Sequence, residues 1–250
     1  MSLKISLITV AYNSAKTIKD SLNSVADQIY PHIEHIVVDG ASSDGTLELV
    51  RNHHNPNIRL VSEPDSGIYD ALNKGIRRAT GDVVGFMHSD DLFADAAALQ
   101  RVAAAFADPL IDAVYGDLQY VRRDNRDQVV RYWQSGAFSR NRLGWGWMPP
   151  HPTFYVRRSV YERLGMFDTS YRIAADYDCM LRFLGAGGIR VAYIPHVLVK
   201  MRLGGESNRS LKNILQKSKE DFRALTSNHV GGVGALVWKN ASKLGQFWKR

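Results

Sequence analysis

A run of four residues, His88 to Asp91, places two adjacent carboxylates directly after the apolar stretch 83–87. The stretch predicts a buried strand, and open α/β folds bind their ligands at the carboxyl edge of the sheet. Neighbouring carboxylates repel each other unless a cation lies between them, so Asp90 and Asp91 predict a divalent metal site. A second interpretation is that one of them caps a helix starting near Asp95.

The elements that would position this pair alternate along the first third of the chain. Apolar stretches at 3–10, 35–38, 58–61 and 83–87 predict strands, and helical patterns lie between them. This alternation indicates βαβ units with right-handed crossovers and a largely parallel sheet. Polar residues follow every strand, at 11–13, 39–42, 63–67 and 89–91. A polar ligand site is therefore predicted along one edge of one sheet.

Composition limits the possible classes of protein. The chain has 250 residues, of which 45% are hydrophobic, enough for one core with appendages. Its single cysteine, Cys179, excludes an intrachain disulfide and suits a reducing compartment. We find no signal-peptide pattern and no apolar stretch that could span a bilayer, so a cytoplasmic location is expected.

The net charge of +7 is unevenly distributed. Residues 206–250 contain nine Lys/Arg and three Asp/Glu, whereas residues 1–205 contain 23 basic and 22 acidic residues. Nucleic-acid binding needs basic residues spread over the body of the protein, so no nucleic-acid partner is expected.

Five segments in order resemble the family 2 glycosyltransferases, which have the GT-A fold and invert the anomeric centre of a nucleotide-activated sugar. They are TVAYN (9–13), VVDGASSDGT (37–46), DSGIYDALNKG (65–75), ATGD (79–82) and SDD (89–91). The likeness runs in order over residues 3–95 and more loosely to about residue 205. It implies an α/β fold, Rossmann-like, with a mostly parallel central sheet flanked by helices.

The resemblance also implies a domain organisation. Residues 1–205 form the GT-A domain, with a nucleotide-binding half at 1–95 and an acceptor half at 96–205. Residues 206–250 form a basic, amphipathic helical tail.

For the nucleotide-sugar donor, the resemblance implies a pocket in which Asp39 faces the base. A carboxylate can accept a hydrogen bond from the N–H of uracil, which favours a uridine nucleotide. Alternatively, Asp39 is only a turn residue before Gly40. The other implied donor contacts are Thr9, Ala11, Tyr12, Glu63, Asp65, Gly67, Lys74, Ser89 and Asp90.

For the diphosphate, Asp90 and Asp91 correspond to the metal motif of the family. Hard oxygen ligands suit Mn²⁺ or Mg²⁺, which bridge phosphate oxygens. The chain departs from the common Asp-x-Asp-Asp form because His88 occupies the first acidic position. Because of this departure, the residue that contacts the ribose of the donor is not assigned. Either Asp90 or Asp91 can be the direct metal ligand.

For the catalytic base, the resemblance implies Asp176, near the start of a short helix that ends at Gly185. A helix N-terminus favours an ionised carboxylate that can accept a proton. Asp178 is the alternative base, and a third interpretation makes Asp176 a helix cap without a chemical role.

The acceptor side is expected in a segment rich in Gly, Pro and aromatic residues. Trp145 and Trp147 could stack on a sugar face, or form a local core of the loop. His151 matches a histidine of the family and either lines the acceptor site or is structural. Arg202 and Ser207 resemble a loop that closes over the diphosphate.

The predicted tail helix, 233–250, carries apolar residues at helical spacing and basic residues on another face. The apolar positions are Val237, Ala241, Leu244 and Trp248, and the basic ones are Lys239, Lys243 and Arg250. We expect this helix to contact an anionic membrane surface. The alternatives are docking on its own domain or on a second subunit in a homodimer.

Together these patterns predict a metal-dependent inverting glycosyltransferase with a UDP-sugar as the favoured donor. The expected acceptor is a lipid-linked saccharide in surface polysaccharide synthesis at the cytoplasmic face of a membrane. A nucleotidyltransferase is disfavoured because the segment 11–16 lacks glycine. The replacement at His88 motivates another alternative, a non-catalytic relative that binds sugar nucleotides or carbohydrate.

Overall fold

The computed structural model describes residues 2–204 and 211–241, with side chains over 2–204 and 213–239. Helices flank a nine-stranded sheet with the order β3-β2-β1-β4-β8-β6-β9-β5, and β7 pairs with β6. The strands are β1 (Ile5–Ala11), β2 (Ile33–Asp39), β3 (Ile58–Ser62), β4 (Val83–Phe86), β5 (Leu92–Phe93), β6 (Ala113–Val121), β7 (Val129–Trp133), β8 (Tyr155–Arg157) and β9 (Val191–Arg202). The helices are α1 (Ile18–Ala26), α2 (Thr46–Arg51), α3 (Ile68–Arg78), α4 (Ala98–Ala105), α5 (Arg158–Leu164), α6 (Ala175–Leu184), α7 (Leu211–Ser227) and α8 (Val233–Ala241).

The first half of the sheet is parallel. Strand β1 pairs with β2 and β4, and β2 pairs with β3. All seven residues of β1 are buried, which explains its continuous apolar sequence, since helices cover both faces of a parallel sheet. In register, Ala11 lies opposite Asp39 and Asp39 lies opposite Ser62. Three strands therefore end at the same level, as the βαβ pattern predicts.

The second half of the sheet is mixed. Strand β8 runs antiparallel to both β4 and β6, whereas β6 and β9 are parallel. The short strand β5 pairs antiparallel with the C-terminal part of β9. This pairing brings Arg202, the last residue of β9, beside the loop that follows β4.

The C-terminal helices pack on the body of the protein. Ala224 and Leu225 of α7 are fully buried, and Ala235 of α8 joins the same core. Lys239 is also buried: its Nζ lies 2.8 Å from Asp221 Oδ1 and 3.1 Å from the centre of the Tyr177 ring. Lys239, which helical spacing places on the basic face of the tail, is therefore engaged by the protein itself, because an ion pair and an aromatic face replace its water shell.

The remaining predictions for the tail, at Lys243, Leu244, Trp248 and Arg250, lie outside the described residues. Within 2–204 and 211–241 we find no helix with the length and apolar character needed to cross a bilayer.

A buried carboxylate joins three segments at the amino edge of the sheet. Glu34 on β2 accepts hydrogen bonds from Ser6 on β1 (2.7 Å) and from the Thr80 N–H before β4 (2.9 Å). It also forms an ion pair with Arg59 on β3. Burial alone would raise the pKa of Glu34, but the hydrogen bonds from Thr80, Ser6 and Arg59 outweigh it and lower the pKa to about 2. The ionised side chain thus stabilises the folded state.

Glu34→Gln is expected to lower the free energy of unfolding at pH 7 by an amount on the order of 2 kcal/mol. The folded-state pKa lies below the unfolded one, so this contribution is complete above about pH 4.5 and declines as the pH falls toward 2. Urea unfolding of both proteins between pH 7 and pH 3 measures it. Glu48→Gln, at an exposed position of α2, is the control. A difference between Glu34→Gln and wild type that does not change with pH would contradict the assignment.

Candidate active site

Asp39 lies at the end of β2, at the carboxyl edge of the parallel strands. It is fully buried, and its Oδ2 accepts hydrogen bonds from the Ser42 N–H (3.1 Å) and the Ser62 hydroxyl (2.7 Å). Its Oδ1 is buried and has no hydrogen-bond partner among the described residues. One oxygen therefore acts in the turn, and the other is available to a ligand donor.

The side chains of Tyr12 and Asp65 form a wall beside the end of β2 that depends on Gly40. A Cβ atom at this position would lie 2.4 Å from Asp65 Oδ2 and 3.4 Å from the ring of Tyr12. Glycine therefore allows both side chains to approach the end of β2. The Tyr12 side chain is 67% exposed, as suits a residue that stacks on a ligand, and Asp65 Oδ1 accepts from the Gly67 N–H (2.8 Å).

Thr9 and Ala11 lie behind this wall. Both residues are buried, and the Thr9 hydroxyl is 2.9 Å from Nε2 of the buried His35 ring. Burial lowers the pKa of His35 to about 3, so the ring is neutral at neutral pH. The Thr9 side chain thus pairs with a neutral imidazole in the core.

Lys74, on α3, binds the loop between β3 and α3. Its Nζ donates to the Pro64 carbonyl (2.6 Å) and lies 3.5 Å from Glu63 and 3.4 Å from Asp70. The side chain is 15% exposed. These contacts fix the loop, and they would have to break before Lys74 could reach a diphosphate.

The two aspartates after β4 occupy different environments. Asp91 is 1% exposed; its Oδ1 accepts from the Arg202 N–H (3.3 Å), and its Oδ2 is buried without a hydrogen-bond partner among the described residues. Burial and the neighbouring Asp90 raise the pKa of Asp91 well above its usual value. Asp90 is partly exposed, and its carboxylate makes no hydrogen bond or ion pair with residues that the structure describes. Ser89 bonds to the Ser14 hydroxyl (2.9 Å).

Arg202 connects three elements beneath this loop. Its guanidinium pairs with Asp20 on α1 and donates to the Asp90 carbonyl (3.4 Å), and the residue is 7% exposed. The predicted closing-loop arginine is thus a buried link in the described structure. Ser207, its predicted partner, lies outside the described residues.

Asp176 lies in the first turn of α6, partly exposed at the same edge of the sheet. Its Oδ1 accepts from the Tyr177 N–H (2.8 Å) and lies 3.2 Å from the Tyr69 hydroxyl. Burial and the Asp176 carboxylate raise the pKa of Tyr69 well above 10, so the hydroxyl stays protonated and can donate. Tyr69 was missed by the sequence reasoning, although it lies within the 65–75 motif.

Asp178, the alternative base, faces the packing between helices. It is buried, and its carboxylate accepts from Asn228 Nδ2 (2.9 Å) and lies 3.4 Å from Arg182. Both carboxylate oxygens therefore have protein partners.

Two histidines lie between the two predicted halves of the site. The His151 ring stacks on Phe86 at 5.1 Å between centroids and lies 6.0 Å from the ring of His88. Burial lowers the pKa of His151 to about 4, although Asp176 opposes this, and its Nε2 has no hydrogen-bond partner among the described residues. Burial also lowers the pKa of His88. The Asp90 and Asp176 carboxylates oppose this effect without reversing it. His88 therefore lies within electrostatic reach of both carboxylates.

The two tryptophans of the Gly/Pro-rich loop occupy different environments. Trp147 packs edge-on against Tyr115, and its indole N–H donates to the Ser135 carbonyl (3.1 Å). Trp145 is 62% exposed and lies 5.9 Å from the ring of Trp238 on α8. Trp147 is thus part of the loop's own core, and Trp145 contributes to the surface.

Comparison with solved structures identifies the class of fold. The crystal structure of Staphylococcus aureus TarS 1-349 in complex with UDP-GlcNAc aligns with a TM-score of 0.70 and 22% identity, over 91% of this chain and 66% of that one. Mannosyltransferase PcManGT from Pyrobaculum calidifontis, in complex with GDP-Man and Mn²⁺, aligns with a TM-score of 0.67 and 23% identity, over 100% and 76%. The predicted GT-A fold is therefore confirmed.

Sequence comparison identifies the family. The model of Glycosyl transferase family 2 matches residues 6–172. The chain is 33% identical over 210 residues to a PGL/p-HBAD biosynthesis glycosyltransferase of Mycobacterium tuberculosis, covering 81% of this chain and 78% of the relative. It is 26% identical over 220 residues to chondroitin synthase of Pasteurella multocida, covering 87% and 22%. The chain belongs to glycosyltransferase family 2, which confirms the predicted enzyme class.

Proposed function

We propose that this glycosyltransferase is metal-dependent and inverting, and that it moves a sugar from a nucleoside diphosphate, preferably UDP, to a hydroxyl of a saccharide acceptor. The observation that carries the proposal is the position of three carboxylates at one sheet edge, each in a different environment. Asp39 is buried with one free oxygen, Asp90 is partly exposed, and Asp176 lies at a helix start beside Tyr69. These environments suit base recognition, metal binding and proton acceptance, respectively.

The donor side of the proposal rests on Asp39 and Asp90. The unpaired Oδ1 of Asp39 suits the N–H of uracil, which a cytosine ring lacks at that position. Asp90 suits the direct metal ligand, and the buried Asp91 next to it has an oxygen without a hydrogen-bond partner among the described residues. Within the described residues no group of three His, Cys, Asp or Glu side chains could hold a metal, so diphosphate oxygens would complete the shell. Bound Mn²⁺ or Mg²⁺ supplies Lewis-acid stabilisation of the departing diphosphate.

Thermal unfolding with UDP, GDP, dTDP or CDP, each with and without Mn²⁺, tests the donor side. We expect UDP to stabilise the protein most, with the shift depending on Mn²⁺. A nucleotide at about 100 times its dissociation constant adds roughly 2.7 kcal/mol to the free energy of unfolding.

Asp90→Ala is expected to abolish the metal-dependent shift. Asp108→Ala, which removes a carboxylate near the opposite edge of the sheet, is expected to retain it. A full Mn²⁺-dependent shift in Asp90→Ala would contradict the metal assignment, and a larger shift with GDP would contradict the preference for UDP.

The acceptor side of the proposal rests on Asp176. The N-terminus of α6 stabilises the ionised form, and the Tyr69 hydroxyl and the Tyr177 N–H orient Oδ1. Oδ2 makes no hydrogen bond with the described residues and can accept a proton. In one displacement the acceptor oxygen bonds to the anomeric carbon, its proton passes to Asp176, and the diphosphate leaves with the bonding electrons. No covalent sugar–enzyme intermediate is required.

Asp176→Asn is expected to lower kcat by about 10²-fold to 10⁴-fold, because an amide cannot accept the proton. Nucleotide binding, measured by the thermal shift, should be unchanged. Asp178→Asn is the matched comparison: it weakens the contacts with Arg182 and Asn228, so it should lower thermal stability and retain kcat in the folded fraction. Near-normal turnover by Asp176→Asn would refute the assignment, as would an equal loss of kcat in Asp178→Asn.

His88 motivates a second candidate function, a non-catalytic protein that binds sugar nucleotides. A histidine near Asp90 and Asp176 alters the charge where the family usually has an acid. Transfer or hydrolysis of the donor by wild-type protein distinguishes the two functions. Binding without turnover would favour the second.

We also propose that the enzyme lies on the cytoplasmic face of a membrane and acts on a lipid-linked acceptor in surface polysaccharide synthesis. An exposed apolar patch supports this proposal. We define the α8 patch as Trp145, Val233, Val237 and Trp238, whose side chains are 52% to 65% exposed. Tryptophan beside aliphatic residues suits a membrane interface, and the sequence 206–250 carries a surplus of six positive charges for anionic lipid.

The double variant Val237→Ser/Trp238→Ser is expected to bind anionic liposomes several-fold more weakly than wild type. Loss of buried apolar area lowers the affinity for the interface. Sedimentation with vesicles containing phosphatidylserine measures it, and Leu110→Ser, at another exposed apolar position, is the control. Equal pelleting of wild type and the double variant would refute the role of the patch. If the variant instead halves the molar mass in solution, the patch serves a homodimer.

A further inference from the structure

A glutamate on α7 contacts the backbone in front of the catalytic helix. Glu220 is 5% exposed, and its carboxylate accepts hydrogen bonds from three consecutive N–H groups. The donors are Arg172 (3.1 Å), Ile173 (2.8 Å) and Ala174 (2.9 Å). Helix α7 lies beyond residues 6–172, so the family match does not include Glu220. One side chain thus organises the whole entry to α6.

This contact lies immediately before the N-terminus of α6. The first turn of a helix has N–H groups without intrahelical partners, and a side-chain oxygen usually satisfies one of them. Ala174 occupies the cap position of α6 and has no such oxygen. Glu220 accepts instead from the three N–H groups that precede the first turn, and it thereby places from another helix a negative charge near the helix N-terminus, which the helix dipole favours.

Glu220 is itself held in its charged form. Gln216, one turn earlier on α7, donates its Nε2 to Glu220 Oε1 at 2.7 Å. Burial alone would raise the pKa of Glu220, but Gln216 and the backbone donors outweigh it and lower the pKa. The carboxylate is ionised at neutral pH and can serve all three N–H groups.

The same backbone segment reaches the proposed base through Tyr69. The Tyr69 hydroxyl has one proton and two acceptors beside it, the Ile173 carbonyl at 2.5 Å and Asp176 Oδ1 at 3.2 Å, so these two oxygens share its donation. Glu220 fixes Ile173 from its N–H side, and Tyr69 contacts its carbonyl side. The position of Ile173 thus sets where the hydroxyl meets Asp176.

We propose that Glu220 is a positioning residue for sugar transfer, which orients Asp176 through residues 172–174 and Tyr69. The proposal rests on the proposed role of Asp176 as base. It assigns to α7 a part in the reaction beyond covering the core.

Other contacts attach α7 to the body without touching residues 172–174, and they provide a control. Arg223 donates to the Ser170 hydroxyl (2.8 Å), lies 3.8 Å from Asp168 and stacks on the ring of Tyr171. Arg223→Met loosens the same helix on the same loop but leaves Glu220 and its donors in place. The two substitutions therefore separate positioning from attachment.

The experiment compares Glu220→Gln, Glu220→Ala and Arg223→Met in the full chain. We expect kcat to fall by about 10-fold to 100-fold in Glu220→Ala and by less in Glu220→Gln, with the donor KM within about two-fold of wild type. Small displacements of a catalytic group have effects of this size on the chemical step. Amide hydrogen exchange at residues 172–174 should accelerate in both Glu220 variants. Arg223→Met should lose thermal stability and keep kcat.

Unchanged kcat or unchanged exchange at 172–174 in the Glu220 variants would overturn the proposal, as would an equal loss of kcat in Arg223→Met. If the Glu220 variants do not fold, the Gln216→Met variant tests the positioning role instead. It removes one donor to Glu220 and should produce a smaller loss of kcat together with faster exchange. Asp176→Asn is measured in parallel: if that variant is active, the proposed base is wrong, whereas an inactive Asp176→Asn with normal Glu220 variants refutes only the positioning role.

Discussion

Repulsion between neighbouring carboxylates constrains the candidate site, because burial and the adjacent Asp90 together raise the pKa of Asp91. Parallel pairing of β2 and β4 with β1 brings Asp39 and the loop that carries Asp90 and Asp91 to one edge of the sheet, and α6 adds Asp176. Each negative charge needs partners or solvent, because an isolated buried charge is costly. Backbone N–H groups and hydroxyls serve Asp39 and Asp176, the N–H of Arg202 serves Asp91, and Asp90 remains open to solvent. A bound cation and diphosphate would complete this balance.

Residues from the second half of the chain fix the loop after β4 and helix α6, both of which contribute to the candidate site. Strand β9 delivers Arg202 to the loop after β4, where it links α1 to that loop. Helices α7 and α8 reach α6 from the other side through three different side chains. These are Glu220 on the residues before α6, Asn228 on Asp178, and Lys239 over the ring of Tyr177. The motifs proposed to bind the donor and the elements that orient the proposed base therefore come from separate parts of the sequence.

Predicted roles agreed better with the structure for residues that follow a local sequence pattern than for residues chosen by their type alone. Asp39 and Asp90 follow apolar stretches, and the alternation of strands with helices was enough to predict that they share an edge. Lys74, Trp147 and Lys239 have types that suit ligand or membrane contacts, but each is engaged by the protein itself. Whether a cation or an indole N–H meets a ligand or another part of the chain depends on long-range contacts. Periodicity and motif spacing contain no information on such contacts.

The sequence alone indicated the α/β class, because strand periodicity is a local property, and its short motifs carried the resemblance that implied the GT-A fold and the family. The resemblance also implied Asp176 as the base, with Asp178 as the alternative. The tertiary structure distinguished their environments, since Asp178 packs against Arg182 and Asn228 whereas Asp176 meets Tyr69. Glu220 has no local signal at all: it lies 46 to 48 positions from the three backbone N–H groups that it binds, and only folding brings them together.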